Sequence, residues 1–206
     1  EVAGMPFVRL RSHTLPVHKV KLKRAFDLLF LLALSPLVLL VMVALAGYVR
    51  ARAGAPVLYR QTRIGRDGRP FTLVKFRTMK PDAETHGAVL ATDNDPRVVP
   101  GLGWMRGTRA DELPQLWNVL RGDMSLVGPR PERPELITHI AQQVPGYERR
   151  HELRPGLTGL AQVQGRYHTD AAFKVGHDLQ YLVNWSLVLD VQIIVRTVWV
   201  VLARRV

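Results

Sequence analysis

The 206-residue sequence contains no cysteine. This absence excludes a disulfide-stabilised scaffold, a zinc site with cysteine ligands and a thiol nucleophile. The 7 histidines are scattered without the spacing of a metal site, and neither an internal repeat nor a low-complexity tract occurs. The informative signals are therefore the charge of the chain and its apolar runs.

Acidic residues are also few, because 17 Asp+Glu stand against 29 Lys+Arg, for a formal net charge of +12. A disordered polycation is excluded, since 47% of the residues are hydrophobic. The charge alone fits a nucleic-acid binder, a protein on an anionic membrane surface or an enzyme for polyanionic substrates. The aromatic residues are not interleaved with the basic runs as on base-stacking surfaces, which argues against nucleic acid.

One apolar run, residues 25–49, contains a single charge, Asp27. As a helix rising about 1.5 Å per residue it could cross a hydrocarbon core about 30 Å thick. Pro36 at its centre removes a backbone donor and is expected to break the helix, and the preceding Ser35 hydroxyl is a candidate partner for the freed backbone. Basic residues flank both ends, which is best satisfied if both ends are cytoplasmic. These features alone leave a re-entrant helix and a spanning helix equally open.

The chain is predicted to form a mostly helical α+β fold in three consecutive regions. They are a basic entry segment (1–24), the membrane helix (25–49) and one functional domain (50–206). In the last region, two runs of alternating apolar and polar residues flank an Asp-Gly pair and predict a small β-hairpin. These runs are residues 57–64 and 71–77.

Helical spacing predicts further helices at 112–121 and 135–143. In the first of them, one apolar face is expected, formed by Leu113, Leu116, Trp117 and Leu120. The C-terminal stretch 185–206 carries an apolar stripe interrupted by charges. It fits an interfacial helix with Trp185 and Trp199 at headgroup level. A buried core helix explains the same pattern equally well.

The pair Asp111-Glu112 stands at the start of the predicted helix 112–121. Acidic residues favour the first turn of a helix, and Thr108 completes a pattern resembling a capping box, so a structural explanation is available. The neighbouring arginines point to chemistry instead. Carboxylates bind Mg²⁺, arginines clamp phosphate oxygens, and an aspartate can act as a nucleophile on phosphorus. These arginines are Arg106, Arg109, Arg130 and Arg133.

Six stretches in this order resemble the bacterial monotopic phosphoglycosyl transferases, which start polysaccharide and glycoconjugate assembly on polyprenol phosphate. The resemblance runs from about residue 20 to the C-terminus. Leu160 and Ala110 depart from residues common in the family, and both departures stay apolar. The stretches are KRAFDLLFLLALSPL (23–37), VLYRQTRIGRDGRPF (57–71), VKFRTM (74–79), DELPQLWNVLRGDMSLVGPRP (111–131), RPGLTGLAQVQGR (154–166) and NWSLVLD (184–190).

The resemblance implies transfer of a phosphosugar from a UDP-sugar to a polyprenol phosphate such as undecaprenyl phosphate, with release of UMP. It implies a re-entrant helix broken at Ser35-Pro36, in a monotopic protein on the cytoplasmic face of the bacterial inner membrane. Besides UDP-sugar, polyprenol phosphate and membrane lipids, a homo-oligomeric partner stays open, and nucleic acid is not expected. The enzymatic alternative is direct transfer in a ternary complex. The non-enzymatic alternative is a basic membrane-anchored binding protein.

The resemblance also implies roles for individual residues. Asp111 corresponds to the nucleophile that carries the covalent phosphosugar, and Glu112, with Asp111, to the site of Mg²⁺. Four basic residues correspond to candidates for binding substrate phosphates: Lys75, Arg106, Arg130 and Arg166. Asp178 and Asp190 match acidic positions of the family, but the sequence assigns them no role.

Overall fold

The computed structural model describes residues 15–83, 92, 95–165 and 170–203. The fold is mostly helical with two small pairs of strands, as the sequence predicts. The helices are α1 (Val17–Ala53), α2 (Gly103–Gly107), α3 (Gln115–Arg121), α4 (Pro134–Gln143), α5 (Leu160–Gln164), α6 (Ala171–Asn184) and α7 (Leu187–Leu202). The strands are β1 (Leu58–Ile64), β2 (Pro70–Phe76), β3 (Ser125–Val127) and β4 (Gly156–Thr158). Three 3-10 turns cover Arg66–Gly68, Ala110–Glu112 and Tyr147–Glu152.

Helix α1 is long and apolar enough to cross a membrane, with a mean hydropathy of 2.9 over its most apolar window. The kink at Ser35-Pro36 stays a prediction, but no non-helical residue interrupts α1 there, because the helix continues from Val17 to Ala53 with Pro36 inside it. The reason lies in one hydrogen bond. Pro36 has no N–H for the carbonyl of Leu32, four residues earlier, and the Ser35 hydroxyl donates to that carbonyl at 2.8 Å.

The N-terminal part of α1 is fixed to the body of the protein by two buried polar side chains. Lys23 Nζ lies 2.8 Å from Asp190 Oδ2 on α7. The Asp27 carboxylate accepts a hydrogen bond from the Ser125 hydroxyl at 2.8 Å and another from the Leu126 N–H at 3.2 Å. These contacts explain the single charge in the apolar run and give Asp190 a structural role.

The C-terminal part of α1 docks on the same body. Val49 is fully buried in a core cluster with Phe76, Leu102 and Met105. The Tyr48 hydroxyl donates to the Gly101 carbonyl at 2.9 Å. The middle of the helix is different, because most of its large apolar side chains are exposed. They include Leu32, Leu37, Leu39, Leu40 and Val43. Both ends of α1 therefore contact the body of the protein, whereas its apolar centre does not.

Strands β1 and β2 form the predicted antiparallel hairpin, with Leu58 opposite Phe76 and Ile64 opposite Pro70. The Asp-Gly pair makes the turn, because Asp67 and Gly68 both adopt positive φ angles, of 57° and 72°. This confirms the hairpin and its boundaries to within one residue. The hairpin matters for the site because β2 carries Lys75.

A parallel pair of short strands, β3 and β4, lies in the core and was not predicted. It brings two glycines together. A Cβ at Gly156 would collide with the backbone nitrogen of Gly128, and a Cβ at Gly128 would meet the Arg154 carbonyl. Only glycine permits this approach, which places the segment after β3 directly beside β4.

Helix α7 has one buried and one exposed face. Ile193 and Asp190 are buried, whereas Val191, Val195 and Val198 are exposed. The amphipathic helix is thereby confirmed, but the position of Trp185 was wrong. Its side chain is buried, and the indole N–H donates to Asp190 Oδ2 at 3.2 Å. Trp199, by contrast, is 66% exposed, as an interfacial residue should be.

Helix α3 is shorter than predicted, and part of its predicted apolar face is exposed. It begins at Gln115, after Pro114, which has no N–H to extend a helix backwards. Trp117 and Leu120 are more than half exposed, and Asn118 is fully buried instead. Its amide group accepts from the Val74 N–H at 3.1 Å and donates to the Thr72 carbonyl at 2.7 Å. A polar residue therefore fastens α3 to β2.

Candidate active site

The carboxylate pair Asp111-Glu112 lies in the 3-10 turn between α2 and α3, and not in the first turn of a helix. The residue before this turn, Arg109, has a positive φ of 55°, which only a few per cent of non-glycine residues adopt. The predicted capping box is absent, since Thr108 Oγ1 donates to the Trp104 carbonyl at 2.8 Å. The capping-box explanation of the acidic pair is therefore wrong.

Asp111 is only 6% exposed. Among the residues that the structure describes, no hydrogen bond or ion pair to its carboxylate is found. Burial, reinforced by the charge of Glu112, raises the pKa of Asp111 to about 6, although Lys75 and two arginines act in the opposite direction. A buried carboxylate without a hydrogen-bond donor is poorly solvated, and this makes it a stronger nucleophile.

Glu112 has the opposite surroundings. Its Oε1 accepts from Arg130 Nη2 at 2.7 Å, and its Oε2 lies 3.9 Å from Arg109 Nη1. Burial alone would raise the pKa of Glu112, but Arg130 and Arg109 outweigh it and lower the pKa to about 2. The pKa values of the two adjacent carboxylates are thus shifted in opposite directions. Such a difference often accompanies different roles in catalysis.

Three predicted phosphate-binding residues lie around the pair. Lys75, Arg130 and Arg106, which lies in the last turn of α2, each act electrostatically to lower the pKa of Asp111. Lys75 Nζ lies 5.2 Å from the ring centre of Tyr59, its partner across the hairpin. Burial lowers the pKa of Lys75, while Asp111 acts to raise it. The site therefore combines positive charge with low solvation, which strengthens its attraction for phosphate oxygens.

Arg130 projects from a loop whose backbone carbonyls are fixed by four separate donors. The Gly156 N–H donates to the Pro129 carbonyl and Arg150 Nη2 to the Arg130 carbonyl, both at 2.8 Å. Arg63 Nη1 donates to the Pro131 carbonyl and the Ile64 N–H to the Glu132 carbonyl, both at 3.0 Å. These four hydrogen bonds hold the backbone from which Arg130 reaches Glu112.

The structure thus brings five of the predicted residues together: Asp111, Glu112, Lys75, Arg106 and Arg130. Ser35 and Pro36 lie apart, in the exposed middle of α1. Arg166 lies outside the described residues. Two further residues were not predicted in these roles: Arg63, which reaches the Arg130 loop from β1, and Arg109, which lies beside Glu112. The spacing of three residues from Arg109 to Glu112 was an available signal, whereas Arg63 is placed only by tertiary folding.

A cavity of about 520 Å³ lies elsewhere, beside the hairpin turn and α4. It contains none of the predicted site residues. Its lining includes three carboxylates, from Asp67, Glu148 and Glu152. Such a lining would repel a diphosphate, and the acidic pair with its cations is the better candidate for the site.

A family model described as "Bacterial sugar transferase" matches residues 18–204. The chain belongs to the bacterial sugar transferase family. This confirms the resemblance inferred from the six stretches.

Three curated relatives in the bacterial sugar transferase family illustrate the similarity. UDP-N-acetylgalactosamine-undecaprenyl-phosphate N-acetylgalactosaminephosphotransferase of Aeromonas hydrophila is 41% identical, over 88% of this chain and 44% of the relative. UDP-glucose:undecaprenyl-phosphate glucose-1-phosphate transferase of Escherichia coli K12 is 42% identical, over 97% of this chain and 44% of the relative. The uncharacterized sugar transferase EpsL of Bacillus subtilis is 42% identical, over 86% of this chain and 85% of the relative. The chain therefore spans less than half the length of the first two.

The Mg²⁺ that resemblance to this transferase family implies can be compared with the residues present. In the described part of the chain, no group of three or more acidic or histidine side chains forms a metal cage. Mg²⁺ is, however, commonly held by one or two carboxylates together with substrate phosphates. Asp111 and Glu112, with Lys75, Arg106 and Arg130 around them, provide such a set of donors. The residues fit a cation that arrives with a diphosphate.

Proposed function

We propose that the chain is a phosphoglycosyl transferase that moves a phosphosugar from a UDP-sugar to undecaprenyl phosphate and releases UMP. The observation that carries this proposal is the buried Asp111 carboxylate, set among Lys75, Arg106 and Arg130. The names of the curated relatives supply the substrate class. The reaction would be the first membrane step in the synthesis of a polysaccharide or glycoconjugate.

The proposed mechanism has two displacements at one phosphorus atom. In the first, an oxygen of ionised Asp111 attacks the phosphorus that bears the sugar, the bond from this phosphorus to the bridging oxygen breaks, and UMP leaves with the electron pair. In the second, a phosphate oxygen of undecaprenyl phosphate attacks the same phosphorus. The bond to Asp111 breaks, and the free carboxylate is regenerated. One site thereby serves a water-soluble and a lipid substrate in turn.

The basic residues stabilise charge in both displacements. Lys75, Arg106 and Arg130 are placed to bind phosphate oxygens as negative charge develops on the departing phosphate. Glu112, with Asp111, would hold Mg²⁺, which when bound neutralises diphosphate charge. Arg130 contacts Glu112 directly, so it links the proposed metal ligand to the phosphate-binding residues.

The different surroundings of the two carboxylates favour the covalent route over direct transfer in a ternary complex. Glu112 is held by Arg130 and Arg109, whereas Asp111 has no hydrogen bond among the described residues. Wild-type protein incubated with labelled UDP-sugar, without lipid, and then denatured should retain one phosphosugar on Asp111. The adduct should be absent from Asp111→Asn, which should also lose UMP release by at least about a thousandfold.

Direct transfer predicts no adduct in the wild-type protein, although UMP is released once lipid is added. UMP release by Asp111→Asn at the wild-type rate would refute the assignment of the nucleophile. Membrane binding of this variant should be unchanged, because the apolar helix α1 is the same in both proteins. The same assay over a panel of UDP-sugars would identify the sugar.

We further propose that α1 is re-entrant, with the body of the protein on the cytoplasmic face of the inner membrane. Both ends of α1 contact that body, through Lys23 and Asp27 on one side and Val49 on the other. Tags at residues 1 and 206 should therefore both be inaccessible from the periplasm. Pro36→Leu should shift part of the population to opposite accessibility, since it restores the missing backbone donor. Opposite accessibility in the wild-type protein would show a span.

A further inference from the structure

Arg150 is a buried arginine that does not face the carboxylate pair. It belongs to the 3-10 turn Tyr147–Glu152, and its side chain is 4% exposed. Its Nη2 lies 2.8 Å from the Arg130 carbonyl and 2.8 Å from Asp178 Oδ2 on α6. Its Nη1 donates to the Tyr147 hydroxyl at 2.8 Å. One guanidinium therefore connects α6 to the loop that presents Arg130.

Asp178 supplies the negative charge that compensates the buried Arg150 guanidinium. Its side chain is 2% exposed, and burying the Arg150 charge without a partner would be costly. The other three carbonyls of the loop accept hydrogen bonds from residues of β1 and β4. The Arg130 carbonyl is the point where a side-chain ion pair, and not the sheet, sets the position of the loop.

We propose that Asp178 and Arg150 are positioning residues that act on the reaction through Arg130. The pair fixes the carbonyl of Arg130, which in turn places its guanidinium 2.7 Å from Glu112 and beside Asp111. Neither residue contacts the substrate. This inference rests on the proposed function, because it assigns the pair to the step in which Arg130 binds a phosphate.

A double-mutant cycle tests whether the effect passes through Arg130. Asp178→Asn, Arg130→Ala and the double variant are compared by kcat/KM for UMP release, with full-length protein in one detergent. The assay is run at pH 8, because burial raises the pKa of Asp178 to about 6 and the carboxylate is then ionised. Arg149→Gln is the matched control, since Arg149 precedes Arg150 but pairs with Glu152 at 2.9 Å.

We expect Asp178→Asn to lower kcat/KM about tenfold and Arg130→Ala about a hundredfold, with the double variant within about twofold of Arg130→Ala. The control should stay within about twofold of the wild type. Arg150→Lys should retain part of the activity lost by Arg150→Gln, since a single ammonium keeps the charge but not both contacts. Additive losses, near a thousandfold in the double variant, or no loss in Asp178→Asn would overturn the positioning role.

A second measurement separates this role from the proposed function. Hydrogen exchange at the Ile64 and Gly156 amides, which donate into the loop, should accelerate in Asp178→Asn and not in Arg149→Gln. Unchanged exchange would overturn the positioning role even where activity falls. A wild-type protein that releases no UMP with any UDP-sugar would instead overturn the proposed function, while faster exchange in Asp178→Asn would still support the contact.

Discussion

Breaking the ion pair between Lys23 and Asp190 should strongly lower stability, because the pair is buried where α1 meets α7. Lys23→Met keeps the length of the side chain and removes its charge. Asp190 is fully buried, so it is left with the Tyr181 hydroxyl at 2.6 Å and the Trp185 indole N–H at 3.2 Å as donors. Removing one partner of a buried pair costs about 3–5 kcal/mol, and the two remaining donors favour the lower end.

A loss of about 3 kcal/mol corresponds to a decrease in Tm of about 6–12 °C for a chain of this size. Thermal unfolding followed by near-UV circular dichroism, in one detergent throughout, would measure it. Lys21→Met is the matched control, because Lys21 lies on the same helix and is exposed. It should change stability by no more than about 0.5 kcal/mol.

Removing both charges gives the decisive comparison. Lys23→Met combined with Asp190→Asn no longer buries an unpaired carboxylate, so it should be more stable than Lys23→Met alone. A Tm for Lys23→Met that matches Lys21→Met would refute the reasoning. So would a double variant whose loss equals the sum of the two single losses, because the two charges would then be energetically independent.

Two further predictions concern the site and its scaffold. The nucleophilic form of Asp111 is the ionised one and the pKa of Asp111 is about 6, so kcat/KM for UMP release should fall about tenfold per pH unit below pH 6. Arg106→Gln should move this acidic decrease in kcat/KM to higher pH, because Arg106 lowers the pKa of Asp111. A flat profile down to pH 5 would contradict the assignment. Gly156→Ala should lower the free energy of unfolding by about 3 kcal/mol or more, because the new Cβ would collide with the Gly128 backbone. Gly176→Ala, in the open middle of α6, should raise it by up to about 1 kcal/mol. Equal urea midpoints for the two variants would contradict the close approach of Gly156 to Gly128.

The predictions that succeeded depended on local signals. Asp67-Gly68 predicts the hairpin because its turn needs positive φ angles that this pair adopts readily. The alternation on either side of it then sets the strand boundaries. The helix at 135–143 likewise follows from its own periodicity, and the structure has it at Pro134–Gln143. Asp111-Glu112 was also singled out from a local signal, because adjacent carboxylates among arginines are informative without knowledge of the fold; its catalytic role stays a prediction.

The predictions that failed depended on what lies opposite each element. The helical spacing of α3 predicted one apolar face, but Asn118 is buried because its side-chain amide satisfies both a backbone donor and a backbone acceptor of β2. Trp185 was placed at a membrane surface, yet a buried carboxylate on α7 accepts its N–H. The parallel pair β3–β4 joins segments about thirty residues apart, each only three residues long, which periodicity does not detect.

The docking of α1 at both ends has a consequence for how the protein is assembled. Val49 completes one core cluster, and the polar groups of Ser125 and Asp190 find partners on the same helix. A membrane anchor that only tethered a soluble domain could be exchanged for another hydrophobic segment. Here such an exchange would open a core and leave the Asp190 carboxylate without its ammonium. Helix α1 is therefore part of the core that it contacts, and the body of the protein is expected to fold together with it as one unit.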